Sequence, residues 1–200
     1  MLFYNEFNII IDNDSVEKPE QDLANLYILE TDVVLELGAR YGTVSCVINN
    51  KLNNRQNQVV VEPDHRVWNA LTYNKYNNNC DFHIVKGFIS SKKLSLVNTE
   101  YECWNGYAST SIEDESSTIP SFTLDEIQNK YNLHFNVLVA DCEGFLEIFF
   151  DENPNFINQL RLIIFEEDYP DKCNYEKVKE FLKNNSFYES LSGHQNVWYK

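Results

Sequence analysis

The segment TDVVLELGARYG, Thr31 to Gly42, constrains the fold more than any other stretch of this chain. Its apolar run, Val33 to Leu35, is broken at Glu36 and followed by Gly38 and Gly42, the pattern of a buried strand feeding a tight loop. Directly after the loop, Thr43 to Lys51 places Val44, Val47 and Ile48 at helical spacing. Strand, glycine loop and helix thus follow in order, and the order then recurs. QVVVEP (Gln58 to Pro63) reads as a strand, His65 to Asn78 as a helix and Asp81 to Gly87 as a strand. Strands alternating with helices in this way require a mainly parallel, doubly wound α/β sheet.

The second half continues the alternation. After Ser121, FTLDEIQNKY reads as a helix with early acids, and FNVLVADCEG as a buried strand ending at Asp141. A fifth strand is expected to follow quickly, Arg161 to Phe165, ending in Glu166, Glu167 and Asp168. Tyr175 to Asn185 is an amphipathic helix, and the tail forms two short strands around Ser192-Gly193, a hairpin that closes the sheet with an antiparallel strand. At the front, residues 3–12 alternate weakly as an edge strand or hairpin arm, and Ser15 to Ile28 is a short helix with Pro19 near its first turn. Residues 90–121 are polar and irregular, the expected lid or insertion. No linker or repeat interrupts residues 1–200, which read as one domain: an N-terminal extension or cap over 1–30 and a core over 31–200.

Charge narrows the function classes. Asp and Glu total 31 against 16 Lys and Arg, a formal charge of −15 that repels a polyanion and argues against a nucleic-acid partner. No run approaches the ~20 apolar residues of a membrane span, and the start lacks a basic region and a cleavage site, so a cytoplasmic protein with no membrane partner is expected. The five cysteines are scattered without a C-x-x-C pair and read as thiols, not as a zinc or disulfide framework.

In an open α/β sheet the ligand lies beyond the carboxyl ends of the strands, where strand order reverses. Four of the five strand ends here carry acid: Glu36, Glu62, Asp141 and Glu166 to Asp168, with Gly87-Phe88 at the remaining one. A dinucleotide fingerprint from Gly38 would need glycines at 40 and 43, where Arg40 and Thr43 stand. The loop instead leaves room for a ligand with an ammonium and carboxylate tail and no pyrophosphate. Glu62, 24 residues after Gly38, is placed to accept both hydroxyls of a ribose, with Pro63 as an apolar wall for a base.

With these landmarks in place, the chain from about Asp32 onward resembles the S-adenosylmethionine-dependent methyltransferases of the FkbM type. The resemblance rests on VVLELGARYGTVS, VVVEPDHRVWNAL, FTLDEI, VLVADCEGFLE and LIIFEE; the D-x-E-G-x-x-E run of Asp141, Glu143, Gly144 and Glu147 is its most specific part. ELGA with Glu62 downstream is also similar to catechol O-methyltransferases. The resemblance implies a class I, Rossmann-like methyltransferase fold and S-adenosyl-L-methionine as cofactor. It places Glu36, Gly38, Ala39 and Gly42 at the methionine end, Glu62 on the ribose, Pro63, Gly87 and Phe88 around adenine, and Asp141 facing the methionine moiety and the reactive methyl. One departure stands out: Val139 occupies a position where members often carry lysine, so no role of that lysine transfers.

The implied reaction is O-methylation of a hydroxyl, with a sugar of a glycan or glycoconjugate as the implied acceptor. Its rivals are another small-molecule or protein acceptor, and a module that binds the cofactor without turnover. An acceptor hydroxyl must lose its proton, and Asp141 is the first candidate base, followed by Glu143, Glu166 and His194. His194 also fits a plain surface turn. Asp141, Glu166, Glu167 and Asp168 have the oxygen ligands of a hard cation such as Mg²⁺, or simply make a solvated strand end. Trp104, Tyr107 and Phe122 fit either a sugar-stacking platform or loop anchors.

Overall fold

The computed structural model describes residues 1–98 and 109–200. The chain opens with a small antiparallel hairpin, β1 (Phe3–Tyr4) and β2 (Ile10–Ile11), followed by α1 (Lys18–Tyr27). The predicted core then runs β3 (Val34–Leu37), α2 (Thr43–Lys51), β4 (Gln58–Glu62), α3 (Trp68–Asn77) and β5 (His83–Lys86). A peripheral group follows: β6 (Phe88–Ile89), β7 (Leu94–Asn98), β8 (Ser109–Glu113) and β9 (Ser121–Phe122). The second half is α4 (Leu124–Tyr131), β10 (Val137–Ala140), α5 (Leu146–Glu152), β11 (Leu162–Glu166), α6 (Tyr175–Asn184), β12 (Tyr188–Leu191) and β13 (Gln195–Tyr199).

Seven strands form the central sheet in the order β12-β13-β11-β10-β3-β4-β5. The five from β11 to β5 are parallel, and β13 runs antiparallel to β11, as the C-terminal hairpin predicts. Strand side chains alternate between the two faces, so each parallel strand is apolar on both sides. Val34, Val137, Val139, Leu162 and Ile164 face α1 and α2, packing with Ala24, Ile28, Val44 and Ile48. Leu35, Leu37, Val59, Leu138, Ile163 and Trp198 face the opposite layer, built on Ile127, Phe149, Val178 and Leu182. This is the doubly wound, mainly parallel α/β sheet that the sequence predicts. Strand order reverses between β3 and β10, which pair Val34 with Val137 through Leu37 with Ala140. Their carboxyl ends part there and open the crevice.

Three expectations change. Residues 90–121 are not wholly irregular: β7 and β8 pair antiparallel from Leu94↔Glu113 to Asn98↔Ser109, and β6 pairs with β9. STSIE opens on three hydroxyl residues with Ile112 its one apolar residue, and LSLVN alternates only over Leu94, Ser95 and Leu96, so neither run is long enough to mark a strand in sequence. A seven-residue helix, α5, separates β10 from β11, where a direct passage to the next strand is expected. With seven residues it makes two turns, too few for the spacing of the buried Leu146, Phe149 and Phe150 to repeat as a helical period. The helix after Ser121 begins at Leu124 behind the N-cap Thr123, whose capping box with Glu126 ends the short strand Ser121–Phe122. Phe122 packs against the core, with the Lys130 ammonium 5.9 Å from its ring centre, while Trp104, Tyr107 and Cys103 lie outside the described residues. Cys46, Cys80, Cys142 and Cys173 are free thiols, and among the described residues no helix is long and apolar enough to cross a membrane.

Candidate functional site

Gly38 sets the floor of the crevice. Its φ of +84° is a left-handed conformation, and a Cβ there would stand 1.6 Å from the Asp141 carbonyl oxygen. Only glycine lets the end of β3 lie this close to the end of β10. Gly42, at φ +81°, starts α2, and its N–H donates to Ala39 O at 2.7 Å. The Ala39 side chain is buried with Phe3, Cys46 and Leu71. Ala39 and Gly42 thus shape the loop from beneath and stand off the cleft wall, unlike Gly38.

The cleft above the loop encloses roughly 800 Å³, part of it open to solvent. Glu62, 5% exposed, forms part of its wall. One carboxylate oxygen accepts the Arg40 backbone N–H at 2.6 Å and the other the Asp64 N–H at 2.7 Å, which ties the glycine loop to the end of β4. Each oxygen retains a second acceptor direction. Burial pushes the Glu62 carboxyl up to about 7, against the pull of those two N–H groups. Around it, Val61, Pro63, Phe88, Ile89, Leu96 and Phe145 supply apolar wall. Gly87 acts from behind: a Cβ there would stand 2.2 Å from Pro120 O, so the glycine permits the turn that presents Phe88.

Sequence reasoning missed the polar roof. Ser109 and Ser111 of β8 line the cleft, and Arg66 latches the hairpin in place. Its guanidinium grips Asp64 in a bidentate pair, Nε to Oδ1 at 2.9 Å and Nη2 to Oδ2 at 2.8 Å, and Nη2 also donates to Ser109 Oγ at 3.2 Å.

A second, inner chamber adjoins the cleft and is strongly acidic. Glu17, Glu20, Glu36, Asp141 and Glu166 line it together with Gln195, and among the described residues no lysine or arginine does. Glu36, 2% exposed, accepts Ser45 Oγ at 2.8 Å and Gln58 Nε2 at 3.0 Å; burial pushes its carboxyl up to about 8. Glu17, just ahead of α1, accepts a hydrogen bond from Thr43 Oγ1 and is pushed up to about 7 by burial. Asp141 is raised well above the carboxylate range by burial and by the charges of Glu166 and Glu143. Val139 pairs with Glu36 across the sheet and lines the same chamber. Glu143, at φ +52°, lines the cleft beside Asp141. Glu17 and Glu20 come from the N-terminal cap, where a sequence shows acids at a helix front but not the crevice they reach.

His194 stands apart from the cleft wall. It is 65% exposed on its side chain, with Nε2 2.5 Å from Glu166 Oε1 and 4.0 Å from Asp168 Oδ1. Asp168 in turn neighbours Asp141. Glu167 points the other way, paired with Lys179 at 2.5 Å and accepting from Asn196 Nδ2 at 2.8 Å, which removes it from the expected cation ligands.

No protein-family model and no curated protein matches the sequence. Solved structures do match by shape. Precorrin-6y C5,15-methyltransferase from Geobacter metallireducens superposes with a TM-score of 0.57 at 13% identity, over 94% of this chain and 87% of that one. An O-methyltransferase from Bacillus cereus, solved in complex with SAH, gives 0.57 at 11% identity over 94% and 82%. A ribosomal protein L11 methylase from Lactobacillus delbrueckii gives 0.51 at 14% over 90% and 74%. At such identities the shared property is the fold, and the fold is that of the class I methyltransferases.

Proposed function

We propose that this chain is an S-adenosylmethionine-dependent O-methyltransferase acting on a hydroxyl of a neutral small molecule, with a sugar of a glycan or glycoconjugate as the favoured acceptor. The observation that carries the reading is Glu62: a buried carboxylate at the end of the second parallel strand, held by two backbone N–H groups and facing a partly apolar cleft at the strand-order reversal. The residues fit the cofactor. Glu62 keeps acceptor capacity for the two ribose hydroxyls, Val61, Pro63, Phe88 and Ile89 suit a purine face, and the acids of the inner chamber suit an ammonium group.

S-adenosylmethionine supplies an electrophilic methyl group on a positively charged sulfur. The chain's task is alignment, since holding acceptor oxygen, methyl carbon and sulfur in line at contact distance carries most of such an acceleration. Gly38 and the Arg40–Glu62 clamp fix the loop, and the Arg66 latch fixes the roof. Burial raises Asp141 above the usual carboxylate range, which strengthens its carboxylate as a base, and it takes the hydroxyl proton at its side-chain oxygen. A carboxylate set this dense also stabilises the sulfonium before reaction, so partial protonation of the chamber favours transfer. Three observations support a hydroxyl-rich neutral acceptor: Ser109 and Ser111 on the roof, the net charge of −15, and the resemblance to the FkbM type.

The test is incubation with the cofactor and a panel of oligosaccharides and glycosylated small molecules, read by mass spectrometry. A product heavier by one methylene, formed by the native chain and at least a hundredfold slower by Asp141→Asn at unchanged cofactor affinity, is expected. Equal losses of turnover and affinity would reassign Asp141 to cofactor binding; cofactor binding without any methylated product would leave a binding module.

A further inference from the structure

We propose that Arg40 binds the carboxylate at the amino-acid end of the cofactor, and that it makes the cleft select an intact methionyl tail over a decarboxylated one. This role presupposes the cofactor reading and makes Arg40 the residue that sets its specificity.

The cleft wall is unbalanced in charge. Glu17, Glu62, Asp64, Asp141 and Glu143 line it, and among the described residues Arg40 is the one lysine or arginine that does. An ammonium tail finds carboxylates there and in the inner chamber. A carboxylate tail meets like charge, in a chain whose net charge is already −15. An anion admitted to such a site needs a cation or a set of converging N–H groups. The glycine loop has spent three of its own: the Gly38 N–H donates to Val61 O at 3.0 Å, the Arg40 N–H to Glu62 at 2.6 Å and the Gly42 N–H to Ala39 O at 2.7 Å. The Arg66 guanidinium is gripped by Asp64 and stands off the cleft wall. The Arg40 guanidinium is the group of matching charge, and its planar fork suits a carboxylate.

Its neighbours fix its placement. The backbone at Arg40 is left-handed, with φ +41°, and Glu62 clamps it by the N–H, so the side chain leaves the loop at the point where the ribose acid is anchored. The guanidinium carbon lies 4.7 Å from the centre of the Tyr41 ring, and Nη2 donates to the Tyr41 hydroxyl at 3.2 Å. Tyr41 is buried and in turn donates to Glu6 at 2.5 Å. A buried phenol held by the N-terminal hairpin thus orients the charge at the cleft wall, where it acts on both Glu17 and Glu62. The consequence is discrimination. Bare acids would favour the decarboxylated cofactor, which carries a sulfonium and an ammonium and no negative group. Arg40 reverses that order by repelling the doubly cationic form and pairing with the carboxylate of the intact one.

Isothermal calorimetry of the full chain compares S-adenosylhomocysteine with S-adenosyl-3-thiopropylamine, the same thioether without the carboxylate. The native chain is expected to bind the first more tightly by about tenfold or more, the scale of a charge-assisted pair. Arg40→Met is expected to weaken S-adenosylhomocysteine by about the same factor and to leave the amine bound as well as before or better, so that the preference disappears. Undiminished binding of the amine shows that the variant cleft is intact. Arg40→Lys keeps the charge without the fork and is expected to retain part of the preference. Equal binding of the two thioethers by the native chain, which involves no variant, would overturn the role of Arg40 and leave the cofactor reading standing. A preference that survives in Arg40→Met would do the same. Binding of neither thioether by the native chain would bring down the cofactor reading and the role of Arg40 with it.

Discussion

A methyl group on residue 38 would have to share space with the Asp141 carbonyl oxygen, 1.6 Å away, on a backbone whose φ of +84° already excludes most side chains. Gly38→Ala should therefore force β3 and β10 apart at their ends. The expected result is a stability loss of about 2 kcal/mol or more in urea unfolding, with cofactor binding abolished. Glu62 acts at the same scale through hydrogen bonds. Glu62→Ala removes the acceptor for two backbone N–H groups and leaves both without a partner. Cofactor affinity is expected to weaken by about 1–3 kcal/mol by calorimetry. Unchanged affinity would take Glu62 out of the site.

Elements decide how much of this was legible beforehand. The parallel strands were, because apolar runs such as VVVE stop at an acid or glycine, and that stop marks the crevice edge as well as the strand end. Glu36, Gly38, Glu62 and Asp141 were readable for the same reason. The hairpin of β7 and β8 was not, since Ser109, Thr110 and Ser111 carry no period-two contrast and LSLVN alternates over only three residues. Helix α5 was hidden by its shortness. The acids of the N-terminal cap were visible as residues but not as site residues, because only the packing of α1 against α2 brings Glu17 to Thr43. Two substitutions test the elements separately. Thr123→Ala breaks the capping box of α4 and should cost about 1 kcal/mol of stability, leaving cofactor affinity unaltered. Arg66→Ala frees the hairpin roof from Asp64 and should raise the acceptor KM with little effect on global stability, measured by steady-state kinetics beside thermal unfolding.

Over the whole molecule the balance of charge is the dominant feature. Glu36 is pushed up to about 8 and Glu17 and Glu62 to about 7, each well above the 4.5 of an ordinary glutamate. Between those values the folded chain holds protons that the unfolded chain has released. Stability from these groups is therefore greatest near or below about pH 4.5 and declines as pH rises, until the full penalty is reached above pH 8. The unfolding temperature should fall between pH 5.5 and 8.5, by roughly 2–4 °C for each kcal/mol, and Glu36→Gln should flatten that slope. At a net charge of −15, added salt should raise the unfolding temperature at pH 8 by screening self-repulsion. The central claim is that the crevice between β3 and β10 is a cofactor site for a sulfonium nucleoside. Isothermal calorimetry with S-adenosylmethionine, S-adenosylhomocysteine and NAD tests it most directly. Binding of the first two at micromolar affinity and none of NAD is the predicted result; heat from NAD alone, or from none of the three, would contradict it.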